Sequence, residues 1–157
     1  MGKASAPLKG QIVAVSTSRH KGKKKNNLPA CELVKNKGLE GDAHAGDWHR
    51  QVSLLAMESI SKIREQGVDV APGDFAENLT TTGIRVWELP LGTRIAVGGE
   101  ALLEVTQIGK ECHDRCAIYH QVGDCVMPRE GIFTRVLHGG TVKPGDEVLV
   151  LPQDETK

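Results

Sequence analysis

The feature that most constrains the fold is a pair of apolar runs separated by two glycines. Arg94–Val97 and residues 100–108 are rich in aliphatic and β-branched side chains, and Gly98 and Gly99 stand between them. A two-glycine connection is typical of a tight β-hairpin, because glycine readily adopts the left-handed backbone angles of such turns. The pattern therefore predicts two adjacent antiparallel strands that lead directly to residue 109.

Further short strands are predicted along the chain by apolar alternation or by β-branched runs. They cover residues 10–16, 31–35, 52–55, 132–137 and 146–151, with a threonine-rich run after Asn78 and a turn at Gly139-Gly140. Met57, Ile60 and Ile63 recur at helical spacing before Gly67, which predicts a helix over residues 57–66. No alternation of strands and helices is recognised, so we expect a mostly β fold, a closed or partly closed β-barrel with one or two short helices.

Length and charge limit the classes of protein that the chain can represent. A chain of 157 residues with 20 basic and 20 acidic side chains predicts one domain, with a core over about 10–151 and a frayed tail at 152–157. Zero net charge argues against nucleic acid or a membrane as the main partner. We find no apolar signal region and no apolar run of membrane-spanning length, so we expect a cytoplasmic protein.

Residues 20–27, HKGKKKNN, are predicted to form a mobile basic loop. One interpretation is an ordinary solvated loop, and the other is an electropositive flap that closes on an anionic ligand. Asp42, His44 and His49 follow in a glycine-rich segment. Their spacing matches no familiar zinc or calcium pattern, so we favour a structural or substrate-orienting role over metal binding.

The chemically richest stretch is residues 109–131, GKECHDRCAIYHQVGDCVMPREG, which holds three of the four cysteines. Three interpretations compete: a zinc site, a redox pair of Cys112 with Cys116, and a reactive thiolate that carries sulfur or binds a soft metal. The third is favoured, because Lys110, Arg115 and Arg129 supply the positive charge that lowers a thiol pKa. Cys31 is interpreted as a small buried apolar residue.

Several separated segments, in order, resemble the MOSC family, the domain also found at the C-terminus of molybdenum cofactor sulfurases. They are GLEGDAHAG, GDFAENLTTTGI, LPLGTRI, LLEVTQIGKECHDRC, GDCVMPREGIFTRVL and GGTVKPGDEV, and the resemblance spans about residues 10–151. It implies a β-rich, barrel-like fold with a pocket that holds a functional cysteine. That cysteine corresponds to Cys116 by the Arg-Cys dipeptide, or to Cys112 by its distance from the preceding strand.

The resemblance also implies the molybdenum cofactor, molybdopterin, as ligand. The functional cysteine, Cys116 or Cys112, would carry sulfur or ligate the molybdenum, in a chain that serves as a sulfur carrier in cofactor maturation. The alternative is a small molybdenum-dependent reductase component or detoxifying module, acting on N-hydroxylated compounds with an electron-donating partner. Expected partners are cofactor biosynthesis proteins or acceptor molybdoenzymes, and no pyridoxal phosphate is expected in this chain alone. Candidate cofactor-binding residues are Lys110, His113, Arg115, Arg129, His44 and Asn78.

Overall fold

The structure, a computed structural model, describes residues 8–19, 25–109 and 130–151. Seven strands form a closed barrel, which confirms the predicted mostly β fold. Its strands are β1 (Lys9–Thr17), β5 (Val52–Ala56), β6 (Leu79–Thr82), β7 (Arg94–Val97), β8 (Ala101–Ile108), β9 (Ile132–His138) and β11 (Glu147–Val150). Outside it are β2 (Asn26–Leu28), β3 (Cys31–Val34), β4 (Gly38–Leu39) and β10 (Gly140–Val142).

The barrel closes because its first and last strands pair. The order of neighbours is β11-β7-β8-β9-β5-β6-β1, and β1 returns to β11 with Gln11 opposite Glu147. β2 extends the edge of β1, while β3, β4 and β10 form a separate three-stranded sheet. Closure leaves no unpaired edge strand in the barrel. An open sheet would expose such edges, and they could pair with another chain.

The predicted hairpin is confirmed as β7 and β8, with Val97 opposite Ala101. Its connection has three residues rather than two, since Glu100 joins Gly98 and Gly99 in the turn. Both glycines have positive φ, 66° and 86°, as the sequence argument required. The predicted turn at Gly139-Gly140 is wrong in part, because Gly140 begins β10 and pairs with Leu33.

The apolar side chains divide into an interior cluster and an outer one. The interior cluster includes Leu54, Leu79, Leu103 and Ile132, and the outer one packs α1 (Met57–Arg64) against the barrel wall. Neighbouring residues of one strand belong to different clusters, because successive side chains of a strand point to opposite faces of the sheet. The outer cluster consists of Leu55, Ile60, Ile63, Val70, Phe75 and Phe133.

The predicted helix is confirmed, although it ends at Arg64 rather than at residue 66. The expectation that strands and helices do not alternate is wrong at one point: β5 and β6 are parallel neighbours, and α1 lies on the connection between them. Parallel neighbours require such a crossover, because a tight turn reverses chain direction. Within the described ranges, no helix is both long and apolar enough to cross a bilayer.

Candidate functional site

A buried ion pair lies where the segment around residue 42 meets the end of β1. Lys25 Nζ is 2.8 Å from Asp42 Oδ1, and both side chains are fully inaccessible to solvent. Asp42 also accepts hydrogen bonds from the backbone N–H groups of Ser18 and His44. Burial opposes ionisation of Asp42, but the hydrogen bond and charge of Lys25 outweigh it, so the pKa of Asp42 is lowered. Asp42 therefore faces Lys25 as a carboxylate at neutral pH.

The same lysine orients His44, one of the predicted cofactor-binding residues. Lys25 Nζ lies 3.1 Å from His44 Nδ1 and 3.3 Å from Ser18 Oγ. An ammonium group has only donors, so Nδ1 accepts and the ring proton is assigned to Nε2. Because Nδ1 is occupied by a donor, this nitrogen is not available to ligate a metal.

The predicted mobile basic loop differs from the structure at its last three residues. Lys25 is buried and ion-paired rather than exposed, and Asn26 and Asn27 belong to β2. The backbone N–H of Lys25 donates to the carbonyl of Gly73, which fixes this end of the segment. A lysine in an internal ion pair contributes no long-range attraction, so Lys25 is no part of an electropositive flap. Residues 20–24 lie outside the described residues.

A clamp of aromatic rings and one guanidinium group continues outward from His44. The His44 and Trp48 rings are parallel within 1°, and Trp48 Nε1 donates to the His44 carbonyl. Arg50 Cζ then lies 5.9 Å from the centroid of the Trp48 ring and 5.2 Å from that of Phe133. Two aromatic faces thus hold one guanidinium, an arrangement that the ring quadrupoles favour.

Gln107, at the end of β8, connects this clamp to the cysteine stretch. Its Oε1 accepts from Arg50 Nε at 3.0 Å and lies 2.9 Å from His49 Nε2, while its Nε2 donates to the Gly109 carbonyl at 2.7 Å. These contacts fix the orientation of the amide, since oxygen must face the donors and nitrogen the carbonyl. We call Lys25, Asp42, His44, Trp48, Arg50 and Gln107 the polar strip.

The polar strip ends where the cysteine stretch begins. Gly109 N–H donates to the Gly131 carbonyl at 2.6 Å, so the residues on either side of segment 110–130 are held together beside Gln107. Six predicted site residues lie outside the described residues: Cys112, Cys116, Lys110, His113, Arg115 and Arg129. Their roles remain predictions, and only the place from which their segment leaves the barrel is given.

Asn78, the other predicted site residue that the structure describes, is a buried connector of three strands. Its Oδ1 accepts from Ser53 N–H at 2.9 Å, and its Nδ2 donates to the Ser16 carbonyl at 3.1 Å. It also donates to Asp42 and helps to lower the pKa of that carboxyl. Asn78 and His44 are therefore brought together around Asp42, with Asn78 on the interior side and His44 toward the surface.

Comparison with known proteins identifies the family. The profile of the family described as "MOSC domain" matches residues 40–149 of the 157-residue chain. The chain belongs to the MOSC domain family. The matched range includes Asp42, His44, Arg50 and Gln107, whereas Lys25 lies before it. No functionally curated protein matches the sequence.

Solved structures share the fold of this MOSC domain at low sequence identity. YuaD from Bacillus subtilis superposes with a TM-score of 0.77 at 19% identity, covering 92% of this chain and 97% of YuaD. YiiM from Geobacillus stearothermophilus gives 0.68 at 21%, covering 92% of this chain and 76% of YiiM. YiiM from Escherichia coli gives 0.67 at 21%, with 96% and 73% covered. These likenesses concern the fold.

Four residues of the polar strip were missed from the sequence: Lys25, Trp48, Arg50 and Gln107. Nothing in the sequence distinguishes Lys25 from the other lysines of its charged run. Gln107 lies near the end of a strand and belongs to no recognisable motif. Arg50 follows His49 directly, and two cationic or imidazole side chains beside Trp48 were a usable signal for anion binding. Among the described residues, no group of His, Cys, Asp and Glu side chains is arranged to hold a metal ion.

A buried carboxyl next to this network gives a pH-dependent prediction. Glu77 accepts hydrogen bonds from Gly73 N–H at 2.7 Å and from Thr80 Oγ1 at 2.8 Å. Burial raises the pKa of Glu77 above its ordinary value of 4.5, despite these donors. The folded state then binds more protons than the unfolded state between 4.5 and the raised pKa, so this carboxyl makes stability fall as pH rises through that range.

Replacing Glu77 by Gln removes this titration, and we expect the free energy of unfolding to decline less steeply with rising pH in Glu77→Gln than in the parent. The slope is the informative quantity, because the amide has one acceptor oxygen fewer than the carboxylate and therefore also changes stability by an amount that does not depend on pH. Urea unfolding at several pH values on both sides of 4.5 measures it. Parallel stability curves for the two proteins would contradict the assigned proton uptake.

Proposed function

We propose that this MOSC domain binds the molybdenum cofactor and carries sulfur on a cysteine of residues 110–129, Cys116 or Cys112. The observation that supports the proposal most is the hydrogen bond from Gly109 N–H to the Gly131 carbonyl. It places both ends of the cysteine segment next to the Gln107 amide and therefore next to the polar strip. The residues that flank the cysteine-bearing segment therefore lie beside the fixed donors of the polar strip, of which Arg50 is the cation without an acidic partner among the described residues.

The described side chains suit an anionic cofactor. Arg50 and the Nε2–H of His44 are donors, and the one carboxylate of the strip, Asp42, is already neutralised by Lys25. The bound group would supply a metal centre and a phosphorylated pterin side chain. A chain ligand to its metal would be a cysteine of residues 110–129, since soft thiolates suit such metals and the described residues hold no metal-binding group. Arg115 and Arg129 stay candidates for the phosphate.

The sulfur step that we propose is thiol–persulfide exchange. The thiolate of Cys116 or Cys112 attacks the terminal sulfur of a persulfide donor, R–S–SH, and forms Cys–S–SH while the donor leaves as R–S⁻. The sulfur–sulfur bond of the donor breaks as the new one forms, so no external oxidant is needed. Lys110, Arg115 and Arg129 in the same segment favour the thiolate that the attack requires.

Cys31 provides a matched control within the same chain. It is half-buried, and its Sγ lies 3.6 Å from the Glu40 carbonyl, against which the thiol donates. Burial raises the pKa of Cys31, so this thiol is a poor nucleophile near neutral pH. The substitution Cys31→Ser should therefore leave sulfur loading unchanged.

The test measures bound pterin, molybdenum and cyanide-releasable sulfur in the chain purified from a host that makes the cofactor. Cyanide converts Cys–S–S⁻ to Cys–S⁻ and thiocyanate, which is quantified by its iron complex. We expect about one thiocyanate per chain in the parent and in Cys31→Ser, and a loss of at least tenfold in Cys116→Ser or Cys112→Ser.

Three results would overturn the proposal or move it to another function. Stoichiometric zinc without pterin would indicate a structural zinc domain. Bound cofactor without releasable sulfur, together with electron-dependent reduction of an N-hydroxylated compound, would favour the reductase component. Releasable sulfur that persists in both Cys112→Ser and Cys116→Ser would place the carrier on another residue.

A further inference from the structure

We infer that Arg50 binds a tetrahedral oxyanion, either a phosphate ester or a free metal oxyanion. Trp48, Phe133 and Gln107 hold its guanidinium group in the orientation that this ligand requires. This inference rests on the proposed function, because it names the residue that would bind the charged part of the cofactor. It differs from the sequence-based candidates Arg115 and Arg129, which lie outside the described residues.

The guanidinium of Arg50 is held in place by its neighbours. Its Cζ lies 5.2 Å from the Phe133 ring centroid and 5.9 Å from that of Trp48, and its Nε donates to Gln107 Oε1. Phe133 itself is anchored in the outer apolar cluster under α1. Two ring faces and one hydrogen bond restrict the plane of the group, so binding an anion costs little side-chain entropy.

The charge of Arg50 has no acidic counterpart within the described ranges. No Asp or Glu of those residues forms an ion pair with it, and its side-chain acceptor there is the neutral amide oxygen of Gln107. Lys25, the other cation of the polar strip, is neutralised by Asp42. Among the described residues, the fold therefore pairs Lys25 with a carboxylate and gives Arg50 none. A half-buried, fixed and uncompensated cation favours an anionic ligand.

The donor geometry selects the class of anion. Nε donates to Gln107, so the N–H groups of the two terminal nitrogens are the ones with which Arg50 would bind a ligand. Such a fork binds two oxygens of a phosphate or related oxyanion in a bidentate manner, which an ammonium group cannot reproduce. Replacement by lysine keeps the charge and removes the fork, which makes Arg50→Lys the decisive variant.

Trp48 reports on the site directly. The chain has two tryptophans, so Trp87→Phe leaves Trp48 as the single indole, in contact with Arg50. In this background the full chain is titrated with inorganic phosphate, a phosphate monoester such as glycerol 3-phosphate, and molybdate, at constant ionic strength set with chloride. Nuclear magnetic resonance of the Arg50 Nε–H group provides a second reading.

We expect saturable changes in Trp48 fluorescence and in the Arg50 Nε resonance with the oxyanions, and an affinity at least tenfold lower in Arg50→Lys. Arg85→Lys serves as the matched control, because Arg85 is exposed and paired with Glu88, and it should bind as the parent does. Gln107→Glu places a carboxylate against Arg50 and should abolish binding while the far-ultraviolet circular dichroism spectrum stays unchanged.

Preference for the monoester would indicate the cofactor side chain as the source of the anion, and preference for molybdate a free metal oxyanion. Absence of a saturable response in the parent, or equal affinity in Arg50→Lys, would overturn the inference. Phosphate binding at Arg50, in a chain that contains no releasable sulfur and no pterin, would support the oxyanion site and contradict the proposed function. Unchanged pterin content in Arg50→Lys would support the proposed function and contradict the assignment of Arg50 to the phosphate of the cofactor.

Discussion

Replacing Asp42 by Ala is expected to lower the free energy of unfolding by about 3–5 kcal/mol, because it leaves a buried ammonium group without its partner. Lys25 and Asp42 are both fully inaccessible, and the same carboxylate accepts from Ser18 and His44 N–H groups. Removing it therefore leaves one buried charge and two backbone donors unsatisfied. Urea unfolding followed by circular dichroism measures the change.

Two further variants separate the buried charge from the loss of contacts. Lys9→Gln removes one member of the exposed pair Lys9–Glu147, in which both side chains are more than 60% exposed, and should change stability by about 0–1 kcal/mol. The double substitution Lys25→Met with Asp42→Leu should recover much of the loss, since apolar replacement of a buried pair is often neutral. A loss below about 1 kcal/mol in Asp42→Ala would contradict burial of this pair.

Gly73→Ala is expected to be the second most damaging of the substitutions considered, and it acts on the same ion pair through the backbone of Lys25. Gly73 has φ of +95°, and a Cβ placed there would overlap the carbonyl oxygen of Lys25. The Gly73 carbonyl also accepts from Lys25 N–H, and its own N–H donates to Glu77. A side chain at this position therefore pushes the buried lysine away from Asp42.

Gly67→Ala is a matched control for this prediction. Gly67 has nearly the same φ, +92°, but a Cβ there would meet nothing within 4 Å. The left-handed conformation alone costs roughly 1–2 kcal/mol for alanine, and overpacking adds about 1–3 kcal/mol at Gly73. We thus expect Gly73→Ala to unfold at lower urea than Gly67→Ala. Equal urea midpoints for the two variants would contradict this prediction, because they would show that Lys25 and its neighbours move aside without a loss of stability.

The sequence by itself determined the class of fold, because strand signals are local. The hairpin of β7 and β8, the strand β5 and the helix α1 each follow from side-chain period, glycine placement and β-branched content within one short segment. Belonging to the MOSC family could be recognised in the same way, from ordered motifs such as GLEGDAHAG and GDFAENLTTTGI. His44 and Asn78 came with those motifs.

Elements without a local signal could not be found in the same manner. β10 is three residues long and exists because it pairs with β3, about a hundred residues earlier in the chain. The parallel pairing of β5 with β6 likewise depends on where α1 packs, which the pattern of either strand does not contain. Pairing partners are decided by closure of the barrel and by burial of its interior cluster.

The site was decided by tertiary structure for the same reason. Lys25 looked like one more solvated lysine, and its ion pair with Asp42 arises only when β1 and β2 bring the two segments together. Arg50 and Gln107 are 57 residues apart, yet they share a hydrogen bond beside Gly109. Sequence composition supplies the charges and thiols, whereas the desolvation and neutralisation that set their chemistry depend on which distant residues the barrel places next to them.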